Sequence, residues 1–109
     1  MPNMIRDILK SYCKELKQLF GTSLVKVILF GSYARGDYNK NSDIDLMILV
    51  NVPPEQISDF ADKIYDLTYD YEQEHDIEIN PCIQSIDTYN YWKGVYPFFM
   101  NIEKEGLAV

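Results

Sequence analysis

Two short apolar runs flank a polar, glycine-containing segment in the first half of the chain. The first run covers residues 24–30 and stops at Gly31, and the second covers residues 43–50. Both are rich in β-branched residues and bounded by turn-forming residues, which predicts two buried strands. Gly31 allows the backbone to turn sharply because it has no β-carbon. Residues 32–35 then predict a short helical turn, and the polar loop after it leads into the second strand.

The second run carries two carboxylates at its start. Side chains alternate between the two faces of a strand, so Asp43 and Asp45 share one face, while Ile44, Leu46 and Ile48 take the other. Two neighbouring carboxylates at the mouth of an apolar strand are costly to leave unpaired. The pattern therefore predicts a cation there. Mg2+ suits the position because it is a hard ion that takes carboxylate and phosphate oxygens.

The residues before these acids suit a nucleoside triphosphate. Gly31 and Ser32 offer backbone N–H groups and a hydroxyl to phosphate oxygens. Arg35 adds a charge-assisted bond to the same anion. One or two Mg2+ ions held by Asp43 and Asp45 would clamp the attacking and leaving oxygens of an in-line displacement at phosphorus. These residues predict chemistry at a phosphate group.

Two other motifs fail on particular residues. Gly31 and Gly36 have the glycine spacing of a phosphate-binding P-loop, but Asp37 stands where that loop needs lysine. Residues 37–48 begin like a calcium-binding loop. However, Ser42 stands where its sharp-turn glycine belongs, and Ile48 stands where its bidentate acid belongs.

The string GSYARGDYNKNSDIDLMILV, with Gly31-Ser32 followed after ten residues by Asp43-x-Asp45, resembles the signature of the polymerase β-like nucleotidyltransferases. It looks most like the minimal nucleotidyltransferases of bacteria and archaea, which are usually the antitoxin halves of HEPN–MNT pairs. The ending YPFFMNIEKEG is similar to the end of many such proteins, so the resemblance covers nearly all of the chain. It implies an α+β fold in which a small mixed sheet carries helices mainly on one face.

The resemblance also implies an activity. ATP is the expected substrate, Mg2+ is the expected cofactor with two ions bound, and AMP is transferred to a hydroxyl. That hydroxyl is expected on a tyrosine of a HEPN toxin. Members of the family usually have a third carboxylate on a strand after the helix. Residues 76–83 predict that strand, and Glu78 is the first choice for the third acid, as metal ligand and as help in deprotonating the acceptor. Asp76 shares its face and stays the alternative.

Two further functions remain open. The chain is either an enzyme or a non-catalytic antitoxin that neutralises a toxin by binding it, and the second tolerates an incomplete set of acids. A third hypothesis is an enzyme that modifies an antibiotic hydroxyl, but the chain leaves little length for a second substrate pocket. The assembly is expected to be either a hetero-oligomer with the toxin or a homo-oligomer.

Composition sets the remaining expectations. The 109 residues predict a single domain, 1–109. A net charge of −7 disfavours direct binding of nucleic acid, which needs a basic surface. No run approaches the ~20 apolar residues of a membrane span, and residues 1–10 lack a signal-peptide pattern, so a cytoplasmic location is expected. Two isolated cysteines make neither a disulfide framework nor a zinc site.

Helical periodicity and capping residues predict the other elements. Residues 3–20 predict a helix closed by Gly21, and a second helix is predicted from Pro54 to about residue 72. Two short helices follow, over residues 87–93 and from Pro97 to Gly106. The six aromatic residues between positions 89 and 99 predict either closure of the core or an interface with another chain.

Overall fold

The computed structural model describes all residues from 1 to 109. Helices and strands follow in the order α1 (Asn3–Phe20), β1 (Leu24–Phe30), α2 (Ser32–Arg35), β2 (Ile44–Val50), α3 (Ala61–His75), β3 (Ile79–Ser85), α4 (Ile86–Trp92), α5 (Pro97–Glu105) and β4 (Leu107–Ala108). Single 3-10 helices at Gly21–Ser23 and Pro54–Phe60 lead into β1 and α3. The α+β class is therefore confirmed.

The four strands form one mixed sheet in the order β3-β2-β1-β4. β1 and β2 are antiparallel, β3 runs parallel to β2, and β4 pairs antiparallel with only two residues of β1. β3 lies at an edge, which explains how it accommodates Pro81, a residue without a backbone N–H to donate. The carboxyl end of β1 therefore lies beside the amino end of β2, and Phe30 is paired with Asp45.

The sheet is covered on both faces. α1 and α3 bury one face through residues such as Ile8, Leu16 and Ile64, packed on Leu46 and Ile48. The shorter α4 and α5 bury the other face in a smaller cluster that includes Tyr89, Phe99 and Ile102 packed on Met47 and Leu49. Both faces of β2 are therefore buried after Asp45. Its residues with even numbers pack in the cluster with α1, and Met47 and Leu49 pack in the cluster with α5.

The ends of the helices shift some of the predicted boundaries. Gly21 closes α1 with a positive φ of 58°, as predicted. The segment after Pro54 first forms a 3-10 helix, and α3 proper begins at Ala61 and runs to His75. Asp76 follows in the left-handed conformation with φ 51°, so it belongs to the end of the helix. β3 consequently begins at Ile79, three residues later than predicted.

One buried polar contact joins the two long helices. The Tyr12 hydroxyl lies 2.9 Å from the Thr68 hydroxyl, and the Thr68 hydroxyl donates to the Ile64 carbonyl at 2.7 Å. Burial raises the pKa of Tyr12 from 10.0 to about 12. No helix combines the length and the apolar character that crossing a membrane requires.

Candidate active site

The turn between β1 and α2 brings the backbone unusually close to an acidic side chain. Gly31 has φ 76° and ψ −155°, a conformation available essentially to glycine alone. A β-carbon at Gly31 would overlap the carboxylate of Asp45. This position therefore needs glycine for two reasons, its backbone conformation and its contact with the acid. Because of this close approach, α2 begins at Ser32 beside the amino end of β2, where Asp43 and Asp45 lie.

Asp43 and Asp45 lie on the same face, as the alternation predicts. Asn80 joins them, because its side-chain nitrogen donates to Oδ2 of Asp43 at 3.2 Å and to Oδ1 of Asp45 at 3.0 Å. The bond follows from strand register, since Asn80 of β3 is paired with Asp45 of β2. The amide holds both carboxylates in place, and a rotation of its plane would present an oxygen to a cation instead.

The sequence did not predict the place of Asn80, which the structure puts in contact with both acids of the candidate site. The available signal was the alternation along β3, which places Asn80 on the same face as Glu78. An amide side chain, like a carboxylate, offers oxygen to a hard cation. The parallel register that puts Asn80 opposite Asp45 could not be read from local sequence.

Five of the predicted residues line one cleft of about 490 Å3. They are Gly31, Ser32, Arg35, Asp43 and Asp45, and α5 contributes the opposite wall with Phe98, Asn101 and Glu105. The Arg35 side chain is engaged at the rim, where its Nε lies 3.2 Å from Asp37 and its Nη1 lies 3.8 Å from Glu105. It has to leave these carboxylates, or share its charge with them, before it can bind a phosphate.

The predicted third acids lie in a neighbouring cleft of about 630 Å3. Glu78 and Asp76 line it together with Asp43, which is shared by both clefts. Glu78 precedes β3 directly, and its carbonyl accepts a bond of 2.8 Å from the N–H of Ile44. The backbone pairing thus sets Glu78 beside Asp43. Asp76 is exposed and occupies the helix-ending position described above.

The charges at this junction repel one another. The Asp43 carboxylate, which is close enough to share a hydrogen bond, raises the pKa of Glu78 above its usual range. No three His, Cys, Asp or Glu side chains are arranged as a ready-made metal site. The side chains nevertheless suit a hard divalent cation. The carboxylates of Asp43 and Asp45 meet the amide of Asn80 at one strand end, and the negative charge of the two carboxylates has no cation beside it. The role of Glu78 stays a prediction.

Comparison with known proteins agrees with this geometry. Residues 9–99 match the family model of the nucleotidyltransferase domain. A putative protein adenylyltransferase of Methanocaldococcus jannaschii is 36% identical over 98 residues, which cover 90% of both chains. A second one from the same organism is 40% identical over 79 residues, 72% of this chain and 78% of the relative. The chain belongs to the nucleotidyltransferase domain family.

Solved structures share the fold at low sequence identity. A putative nucleotidyltransferase from Sulfolobus solfataricus superposes with a TM-score of 0.65 at 18% identity, covering 94% of this chain and 76% of that one. A toxin–antitoxin crystal structure with AMP-PNP superposes with a TM-score of 0.56 at 19% identity, covering 90% of this chain and 69% of that one. These structures show that the mixed sheet with its helices is a fold found in nucleotidyltransferases. The family model and the relatives from Methanocaldococcus jannaschii, in turn, show that this chain is a nucleotidyltransferase.

Proposed function

We propose that this protein transfers AMP from ATP to a hydroxyl on a partner protein, in a reaction that depends on Mg2+. The observation that carries the proposal is the junction of β1 and β2. There a glycine that tolerates no β-carbon faces Asp45, and Asn80 fixes Asp45 and Asp43 together in one cleft. Such a junction suits a triphosphate above a metal-binding pair of acids.

The residues of the cleft would bind either the metal or the nucleotide. Asp43 and Asp45 would hold Mg2+, which when bound supplies positive charge to the phosphates and to the leaving group. Gly31 and Ser32 would orient the triphosphate through the first turn of α2. Phe98 and Asn101 of α5 line the space that is left for the nucleoside.

The transfer is a substitution at the α-phosphorus. The acceptor oxygen forms a bond to the α-phosphorus, and the bond from that phosphorus to the bridging oxygen of the β-phosphate breaks. Pyrophosphate leaves with the bonding electron pair, and the acceptor gives up its proton. We assign the removal of that proton to Glu78, because it lies beside Asp43 in the neighbouring cleft, and Asp43 lines both clefts.

The acceptor is expected to come from another protein. The names of the relatives from Methanocaldococcus jannaschii concern proteins as acceptors, and the AMP-PNP structure is that of a toxin–antitoxin. In this chain, α4, α5 and their connection carry a series of exposed apolar side chains, and one of them, Phe98, lines the cleft. They are Tyr91, Trp92, Val95, Tyr96, Phe98 and Met100. A patch of this kind suits a protein interface. We infer a HEPN toxin as partner, a tyrosine hydroxyl as acceptor, and an antitoxin role through blocking of the toxin.

A second candidate is an antitoxin that binds without catalysis. The observation in its favour is the absence of a ready-made cluster of three acids. Such a protein would keep the interface and the fold and would neutralise the toxin by covering it.

One experiment separates the two candidates. The chain is purified with the partner toxin and incubated with ATP and Mg2+, and the intact mass of the partner is then measured. A gain of one or more AMP groups that is absent with Asp43→Asn supports transfer, and Asp62→Asn, at an exposed position outside both clefts, is the matched control that should keep the gain. An unchanged partner mass with toxicity still neutralised would favour simple binding.

A further inference from the structure

A wide groove lies away from the acidic cleft, between α1 and the first residues of β1. It encloses about 710 Å3, and its rim is basic. The chain has ten Lys and Arg residues and a net charge of −7. Five of those ten line this groove, namely Arg6, Lys10, Lys14, Lys17 and Lys26. Half of the positive side chains of an acidic protein are thus gathered on one surface.

These cations have no partners within the molecule. Arg35 and Lys93 form salt bridges elsewhere, whereas none of the five groove cations lies within 4.0 Å of a carboxylate oxygen. Four of them recur every three or four residues and therefore share one face of α1. Like charges at this spacing repel one another. An arrangement that costs some stability and leaves its charge uncompensated favours an anionic partner.

The floor of the groove is apolar and borders a free strand edge. Leu9, Val25 and Val27 are among the residues that form it. β4 pairs with Ile28 and Leu29, and the N–H of Val109 donates to the carbonyl of Val27 at 3.0 Å, so the edge of β1 is unpaired on that side at residues 24–26. Val25 at this edge is 49% exposed. An unpaired strand edge is a template on which an extended segment can add itself through backbone hydrogen bonds.

The lining distinguishes a peptide from a nucleic acid. No aromatic side chain borders the groove, and binding of single-stranded nucleic acid usually depends on bases that stack on aromatic rings. The net charge of −7 also opposes a long polyanion beyond the groove. A short segment with alternating acidic and apolar side chains would match both the basic rim and the apolar floor.

We propose that this basic groove docks an acidic, extended segment of a partner protein, which adds to β1 as a strand beyond β4. The rim cations would pair with its carboxylates, and its apolar side chains would cover Val25 and Leu9. This docking surface is separate from the acidic cleft and does not depend on the nucleotidyl transfer proposed above.

The test uses the whole chain, labelled with nitrogen-15, without ATP or metal. It is titrated with a capped peptide of alternating Glu and Val at low ionic strength, and amide shifts are followed by NMR. Shifts are expected at residues 24–27 and along α1. The variant with Lys10→Glu and Lys14→Glu should bind at least about tenfold more weakly, because two attractions become repulsions. The control with Lys63→Glu and Lys104→Glu changes the net charge equally and should lose less than about twofold.

Three outcomes would overturn the proposal. They are no binding at millimolar peptide, amide shifts centred on another surface, and equal losses of affinity in the groove variant and in the control variant. Tighter binding of a single-stranded oligouridine at the same amides would assign the groove to nucleic acid instead. The spectra also report whether each variant is folded. Because no nucleotide is present, a negative result here leaves the test of nucleotidyl transfer unaffected.

Discussion

Substituting alanine for Gly31 tests the central geometric argument for the cleft. The added β-carbon would occupy space taken by the Asp45 carboxylate, and the backbone has φ 76° and ψ −155°. Alanine therefore has to change the backbone, displace Asp45 or do both. In each case the bond of 3.0 Å from Asn80 to Asp45 is disturbed. We expect a loss of stability together with a loss of nucleotide binding.

The magnitude has two parts. Holding a residue other than glycine in this region of backbone conformation costs about 1–3 kcal/mol. Relieving the overlap by forcing the acid aside costs a further ~1–3 kcal/mol, the range for an overpacked site. The expected decrease in the free energy of unfolding is therefore about 2–6 kcal/mol, a large share of the ~5–15 kcal/mol that stabilises a typical domain.

Urea unfolding measures the decrease, and the chain offers a matched control. Gly21 has φ 58° and ψ −133°, but the β-carbon of an alanine there would meet open space, with no group from elsewhere in the chain within 4 Å. Gly21→Ala should therefore show the backbone cost alone. In a chain that already carries Asp45→Ala, the decrease in the free energy of unfolding caused by Gly31→Ala should be no larger than that caused by Gly21→Ala. The reasoning is refuted if Gly31→Ala costs no more than Gly21→Ala, or if removing the Asp45 side chain brings no relief.

Two further predictions concern the third acid and the buried tyrosine. Glu78→Gln should lower the rate of transfer far more than ATP affinity, because the proton moves only in the transition state. Asp76→Asn should be mild, since asparagine also tolerates the left-handed conformation; the reverse ranking in steady-state kinetics would move the role to Asp76. Tyr12→Phe should cost about 0.5–1.5 kcal/mol in urea unfolding near neutral pH, the worth of one hydrogen bond. In the wild type, the pKa of Tyr12 is 10.0 in the unfolded chain and about 12 in the folded chain. The folded chain therefore keeps the phenol proton to higher pH, and the stability of the wild type falls as pH rises from 10 to 12. The Tyr12→Phe variant should lose that part of the fall, and an unchanged pH profile would contradict the assignment.

Local signals predicted the elements that local chemistry determines. β1 ends at Phe30 because Gly31 follows it, and α2 covers residues 32–35 as expected. The common face of Asp43 and Asp45 follows from strand alternation alone. The polymerase β-like motif added the expectation of the fold, which the shared fold of the solved structures confirms.

Information that depends on long-range pairing could not be read in this way. Asn80 reaches both acids only because β3 runs parallel to β2 in one particular register. β4 has two residues and carries no periodic signal, so its pairing with β1 was not predicted. Asp76 looked like part of a strand, but the end of α3 fixes it in the left-handed conformation. In the first two cases a contact between distant segments decides the outcome, and in the third the continuation of α3 to His75 does.

The electrostatics of the cleft lead to a final prediction whose sign depends on the metal. Asp43 and Asp45 face the space assigned to the triphosphate, and Arg35 is already shared between Asp37 and Glu105. Without a cation, the two acids repel a polyanion. Neutralising them with Asp43→Asn and Asp45→Asn should therefore strengthen ATP binding in the presence of a chelator.

With Mg2+ present the order reverses, because the wild type gains a cation that bridges carboxylates and phosphates. Calorimetry with a non-hydrolysable ATP analogue should show the wild type binding more tightly than the double variant in Mg2+ and more weakly in chelator. A variant that merely damaged the cleft would lose affinity under both conditions. If the double variant binds as tightly as the wild type in Mg2+, the two aspartates do not hold the metal. A crossing of the two affinities is the result expected when the same carboxylates repel the substrate alone and attract it through a bound ion.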